Sequence, residues 1–314
     1  MTKDSEVRIQ ESPEGTLLVL PPDFESGEAN RLEFELKGSK EMDIERLLVG
    51  SYIVGAKNVE LKFADGLNLT TRGTISKWIR RLGGFEILDE HSKSITLSDI
   101  SEKQVVIPIL KRQFSTTKYM LSELLNMMKS KDFTQTSRII DRDDDVDRHR
   151  YFVERLCHLA LHEPAYARKI DITPSDSLHF SLAAKYIERL ADHICGAAEK
   201  LAIIGNIDSS IFKQTAALSE LYNESMSVFF RVEGSRRKSK TATLAEDTRE
   251  AFDTLNNAEA IAAEFSKSGT SRKGVDSHLV LLYLHLERIA YYCADISEVA
   301  INRIIQSHLA SRKE

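Results

Sequence analysis

The segment Glu188-Arg189-Leu190-Ala191-Asp192-His193, closed by Glu199, recurs about a hundred residues later as Glu287-Arg288-Ile289-Ala290-Tyr291-Tyr292, closed by Glu298. A near-copy at that spacing means the chain repeats one supersecondary unit, so the fold around the first motif should also surround the second. Past Pro108 the pattern is long and 3.6-periodic, and six helices can be drawn at about 109–130, 133–163, 175–205, 208–233, 240–268 and 275–312. Pro174 fits an early helix position and Asp208 an N-cap. The helices group as three plus three, with one motif in the third helix of each trio. Helices this long cannot bury their apolar stripes alone, so each trio should close into an antiparallel bundle. The expected fold is mainly α, with three-helix repeats at 105–206 and 207–314.

Ahead of these lies a different texture. Val7 to Gln10, Thr16 to Leu20 and Arg31 to Leu36 read as short strands, with Pro21-Pro22 closing the second. Ile44 to Val54 reads as a helix, Val59 to Phe63 as a strand closed by Asp65-Gly66, Thr71 to Leu82 as a helix, and Phe85–Asp89 with Ser94–Leu97 as a hairpin. The expected division is a β segment at 1–45 and a small α/β region at 46–104. Trp78, the single tryptophan, falls in the pattern Ile75, Trp78, Ile79, Leu82 and should lie in that region's core.

Charge narrows the function classes. The formal net charge of the 314-residue chain is -5, so the whole molecule has no electrostatic bias toward nucleic acid or an anionic membrane surface. No apolar run approaches the roughly 20 residues of a membrane span, and Met1-Thr2-Lys3-Asp4-Ser5-Glu6 lacks the apolar core of a secretory signal, so a cytoplasmic protein is expected. Cys157, Cys195 and Cys293 are odd in number and far apart, which fits reduced, buried thiols better than disulfides or a zinc site.

The acids carry the chemistry. Glu188 and Asp192 lie four residues apart, so both leave one face of a helix, and Glu199 returns to roughly the same face. Asp143 and Asp147 repeat that spacing in the preceding helix, inside the run Asp141-Arg142-Asp143-Asp144-Asp145-Val146-Asp147. In an antiparallel bundle the two pairs could face each other. Four carboxylates in one place raise their own pKa values and destabilise the fold unless cations join them. Two readings follow from spacing: a metal site, or ion pairs with Arg142, Arg148 and Arg189 on a solvated face. His193 sits about 100° around the helix from Asp192 and is a partly buried or surface histidine rather than an automatic co-ligand. No Glu-x-x-His pairing occurs, against a ferritin-like oxidase, and no phosphate-binding glycine loop or nucleophile elbow is present. The basic run Arg236-Arg237-Lys238 could dock an acidic or phosphorylated partner or serve as a solvated loop tip.

These residues resemble the PhoU family of phosphate-uptake regulators. Its Leu-Glu-Arg-Ile-Gly/Ala-Asp-His run ending in Glu is similar to Ile187–Glu199, and its Asp-x-x-x-Asp motif to Asp143–Asp147; the likeness spans about residues 105–312. The resemblance implies two three-helix bundles and a metal site, of iron, zinc or magnesium, held by Asp143, Asp147, Glu188 and Asp192. It also implies a non-enzymatic, homodimeric adaptor that meets a phosphate transporter or signalling protein. The chain departs from the family where Asn is frequent: Gly196 stands there in the first copy and Asp295 in the second. Tyr291-Tyr292 replaces Asp-His, leaving Glu287, Asp295 and Glu298 as a weakened second site, with Glu246, Glu250, Asp253 and Asn257 as ambiguous partners.

The N-terminal third resembles archaeal-type members that carry an AbrB-like swapped-hairpin DNA-binding segment, on the strength of Thr16-Leu17-Leu18-Val19-Leu20-Pro21. Where Lys and Trp are expected next, Pro22 and Asp23 follow. Residues 1–45 hold 12 Asp and Glu against 5 Lys and Arg, a poor match to a phosphate backbone, so the segment reads as degenerate. The leading expectation is therefore the metal-binding adaptor, and the alternative is a transcription regulator binding DNA through residues 1–45 as a dimer, where Arg8, Arg31 and Lys37 could be juxtaposed. A metal-dependent hydrolase using the acid cluster lacks any nucleophile or oxyanion device.

Overall fold

A computed structural model describes residues 6–11, 15, 17–20, 30–38, 40–100, 105–235, 243–270 and 276–311. The described residues are mainly helical, with strands confined to the N-terminal region. They form two compact units, each discontinuous in sequence: residues 1–110 with 148–181, and residues 111–147 with 182–314.

The first unit is α/β. Strands β1 (Arg8–Glu11) and β2 (Leu17–Leu20) form an antiparallel hairpin with Ile9 opposite Val19. A four-stranded sheet follows in the order β3 (Arg31–Leu36), β4 (Asn58–Phe63), β6 (Ser94–Asp99), β5 (Phe85–Glu90). β3 and β4 run parallel, which requires a crossover, and α1 (Glu41–Ile53) supplies it. Helix α2 (Leu69–Ile79) starts at Asn68, whose Oδ1 accepts the Thr71 amide at 2.8 Å. Burial alternates along β4, with Val59, Leu61 and Phe63 inward, and these side chains join Ile44, Leu48, Tyr52, Ile75, Trp78 and Leu82 in one core. Trp78 lies where its periodicity placed it.

Arg155 was not singled out in the sequence, yet it is the buried cation of this unit. Its guanidinium donates to the Tyr52 carbonyl at 2.6 Å and the Ala56 carbonyl at 2.9 Å, and pairs with Asp99. It also lies over the rings of Tyr52 and Phe85. Burial of a charge at this depth is tolerated only with an ion pair and hydrogen bonds of this kind, although Arg155 Nε is buried without a hydrogen-bond partner.

The helices are α3 (Val106–Ser130), α4 (Thr136–His162), α5 (Pro164–Ile170), α6 (Pro174–Ile204), α7 (Ser209–Ser235), α8 (Leu244–Thr270) and α9 (Ser277–Ser311). Six correspond to the long helices read from periodicity, within a few residues at most ends. The expected start of the second at 133 is instead a 3₁₀ turn, Phe133–Gln135, before α4, and the expected start of the fifth at 240 falls outside the described residues. Helix α5 was not expected; Pro164 opens it and Asp171 closes it in the left-handed region. Pro174 opens α6, where Thr173 and Asp176 exchange bonds, Asp176 N–H to Thr173 Oγ1 at 3.1 Å and Thr173 N–H to Asp176 Oδ2 at 3.2 Å. Asp208 caps α7 through the Ser210 amide at 3.1 Å.

In the second unit α7, α8 and α9 pack pairwise as a three-helix bundle. The first trio is tied by Gln113 of α3, whose Nε2 donates to the Ala184 carbonyl of α6 at 2.9 Å and the Val146 carbonyl of α4 at 3.4 Å. A buried amide bridging three helices fixes their register, because leaving it unpaired would cost its full desolvation. Cys157 and Cys293 are buried free thiols, and Cys195 is half-buried and also free.

Candidate metal-binding carboxylate cluster

The i,i+4 spacing places Asp143 and Asp147 on one face of α4 and Glu188 and Asp192 on one face of α6, and the two faces meet. The ties between these helices include the Cys195 thiol, which lies 4.0 Å from the Ile139 carbonyl. Asp143 is half-buried, and its carboxyl is pushed up to about 7, first by burial and then by the negative charges of Asp192, Asp147, Glu188 and Asp144. All four expected acids therefore share one electrostatic site. Burial, followed by Asp143 and Asp192, also holds the Cys195 thiol well above its ordinary range, so the sulfur is a protonated bystander.

The cluster is only partly neutralised by protein cations. Glu188, 7% exposed, receives Lys185 Nζ at 3.1 Å and Arg189 Nε at 3.7 Å, and Arg189 also reaches Asp192 at 3.4 Å. Arg142 turns instead to Asp145 at 3.2 Å. Asp143 Oδ1 is buried with no hydrogen-bond partner. Glu188 and Asp192 are ion-paired, while Asp143 Oδ1 has no hydrogen-bond partner.

As donors, four carboxylates suit a hard cation, and the orphaned oxygen of Asp143 is the kind of group a cation satisfies. No three His, Cys, Asp or Glu side chains among the described residues converge closely enough to hold a metal ion as they stand. The donor chemistry fits a metal; the geometry would require Lys185 and Arg189 to give way.

The second copy differs as its sequence does. Tyr291, 40% exposed, stands at the Asp192 position, and Asp295 is raised by burial and then by Glu298, with Arg288 opposing. Glu287 is half-buried and is not among the charges acting on Asp295. Of the ambiguous partners on α8, Glu250 is paired with Arg231 at 2.5 Å and Glu246 caps its own helix through the Thr243 amide at 2.7 Å. Arg236, Arg237 and Lys238 lie outside the described residues.

What the sequence did not reveal is how α6 and α9 meet. Positions 186 and 285 are equivalent in the repeat, as are 193 and 292, and the antiparallel helices exchange them: Tyr186 stacks on Tyr292 with centroids 6.2 Å apart, and His193 meets His285 at 5.2 Å. The two histidines lie with Nδ1 atoms 2.9 Å apart. Burial, then His285, Arg288 and Arg189, press His193 down to about 4, and burial, then Lys200, lowers His285 against the pull of Glu199.

A helical bundle with an internal repeat, of which the first copy carries paired acids on facing helices, defines the class of this molecule. Within it, residues 110–201 match the family model of the PhoU domain, a stretch that contains all four acids of the cluster. No curated protein matches the chain. No described helix is long and apolar enough to cross a membrane.

Proposed function

We propose that this protein is a regulator of phosphate uptake or homeostasis that works as a metal-binding, non-enzymatic adaptor for a transporter or signalling partner. The observation that carries the reading is the position of Asp143, Asp147, Glu188 and Asp192 inside the stretch that matches the PhoU domain, with Asp143 raised to about 7 by burial and then by its acidic neighbours. Asp143, Asp147, Glu188 and Asp192 would hold the metal, and a hard divalent or ferric ion there supplies positive charge that neutralises the cluster. Lys185 and Arg189 are the competing cations, so metal binding and these ion pairs are alternative states of α6. An adaptor of this kind acts by contacts; a homodimer and a cytoplasmic setting belong to the same reading.

Elemental analysis of purified protein, with melting curves in metal and in chelator, tests the metal half. A bound ion raises the melting temperature by mass action; metal-free protein with identical curves would overturn it. Deleting the gene and following phosphate uptake tests the regulatory half, where unchanged uptake and unchanged response to phosphate starvation count against it.

The alternative, a dimeric transcription regulator with a degenerate AbrB-like segment of archaeal type, draws on one observation. The β1–β2 hairpin leaves Ile9 60%, Leu17 62% and Val19 54% exposed, and an isolated two-stranded hairpin needs cover to be stable. A second hairpin would provide it. Sequence-specific binding to the upstream DNA, lost on deleting residues 1–45, would favour this reading.

A further inference from the structure

We propose that the exposed face of α9 binds a second copy of this chain, the two helices running antiparallel over residues 277–309. The proposal rests on the homodimer of the reading above and names the surface that forms it. Along α9 the positions taken alternately four and three residues apart, from Ser277 to Leu309, trace a single stripe with the spacing of a coiled-coil seam. The stripe is exposed throughout except at Asp295, which is half-buried. Leu281, Leu284, Tyr291, Ile305 and Leu309 all stand in solvent along it. Single apolar residues scattered over a surface need no explanation, whereas a row of them on one helix face, about 48 Å long at the rise of an α-helix, marks a surface that something covers. The first copy of the repeat lacks this character: Lys185 and Asp192 stand where the second has Leu284 and Tyr291.

The charges on the stripe select the occupant and its direction. When two α9 helices run antiparallel about position 293, Arg288 lies opposite Glu298 of the second copy, and Tyr291 lies opposite Asp295, where the phenol can donate to the carboxylate. Two-fold symmetry makes each of these pairs twice. Toward both ends of the seam Leu281 meets Ile305. A parallel pair would instead set Arg288, Asp295 and Glu298 each against its own copy. Sliding the antiparallel pair by one heptad in one direction sets Asp295 against Glu298, and in the other sets both acids against leucines. Opposed like charges and acids buried without a partner both disfavour association. One register alone is self-complementary, so a second copy fits this face better than an unrelated helix would.

The experiment is sedimentation equilibrium of the untagged full-length chain, which should give the mass of a dimer. Arg288→Glu places like charges opposite each other at two points and should raise the dimer dissociation constant on the order of a hundredfold. Adding Glu298→Arg to that variant should restore it; both side chains are exposed, so neither change burdens the bundle. Leu281→Cys with Ile305→Cys puts two thiols about 36 Å apart on one helix, too far for a disulfide within the chain. Mild oxidation should therefore join two chains, whereas Leu284→Cys with Leu309→Cys, matched to a register one heptad away, should cross-link no more than wild type. A monomeric wild-type protein overturns the proposal together with the homodimer. A wild-type dimer that Arg288→Glu leaves intact overturns this surface alone. So does a dissociation that Glu298→Arg fails to reverse, or equal cross-linking by the two cysteine pairs. The metal and phosphate-uptake readings are judged by their own experiments and survive or fall separately.

Discussion

Asp143 of α4 stands in the field of Asp192 on α6, which after burial contributes most to raising its carboxyl to about 7. A group raised in the folded state from about 3.8 stabilises the fold below its unfolded value and loses that contribution as pH rises through about 7. In metal-free protein, Asp143→Asn should therefore raise the melting temperature at pH 8 and leave it nearly unchanged near pH 4. Scanning calorimetry at both pH values in chelator checks this; equal shifts would show that Asp143 is not under strain from its neighbours.

The two copies of the motif should behave unequally toward metal. Glu188→Gln with Asp192→Asn removes half of the four-acid cluster, whereas Glu287→Gln acts where Tyr291 already replaces the i,i+4 acid. Elemental analysis should show most metal lost from the first variant and little from the second. Equal loss would mean that the second bundle assembles a site from acids on α8.

Periodicity carried the six long helices and the α/β region because each rests on a local rule: apolar spacing, a proline at Pro174, a capping acid at Asp208. The acid cluster was legible for the same reason, since i,i+4 spacing fixes a face and the repeat fixes the helix. Helix α5 was missed because seven residues give no measurable period. Nothing in the local sequence sets Arg155 apart from the other cations of its charged helix; only the meeting of α4 with Tyr52, Ala56 and Asp99 gives it acceptors. The His193–His285 contact joins residues 92 positions apart, and no local pattern announces it.

Arg155 should be the costliest single side chain to remove from the first unit. Arg155→Ala strands Asp99 and two carbonyls in the interior, a loss of about 3–5 kcal/mol. Arg155→Lys keeps the charge without the planar fork and should cost about 1–3 kcal/mol. Trp78 shares the core that Tyr52 builds, so its fluorescence during urea unfolding reports on this unit. A change within about 0.5 kcal/mol for Arg155→Ala would contradict the role.

Gly196→Ala reverses the ordinary sign of that substitution. In a helix it normally stabilises by about 1 kcal/mol, but here the new methyl would meet His285 Cε1 at 2.2 Å, and overpacking costs about 1–3 kcal/mol. His285→Ala should relieve the conflict, so the double variant should be more stable than Gly196→Ala alone. A double-mutant cycle without coupling would show that the imidazole swings away freely.

DNA binding separates the two readings of function. Residues 1–45 carry 12 acidic and 5 basic residues, and phosphate-neutralising Lys and Arg supply most of the affinity of a protein for duplex DNA. The full-length protein should therefore show no salt-sensitive, sequence-specific complex with its own upstream region in a titration from 50 to 200 mM salt. In a dimer pairing two β1–β2 hairpins through Ile9, Leu17 and Val19, the two copies of Arg8 would point away from each other, since Arg8 adjoins Ile9 and so takes the opposite face of the strand. Specific binding that disappears on deleting residues 1–45 would show that the hairpin reads DNA despite its charge, and the adaptor reading would give way to the transcription regulator.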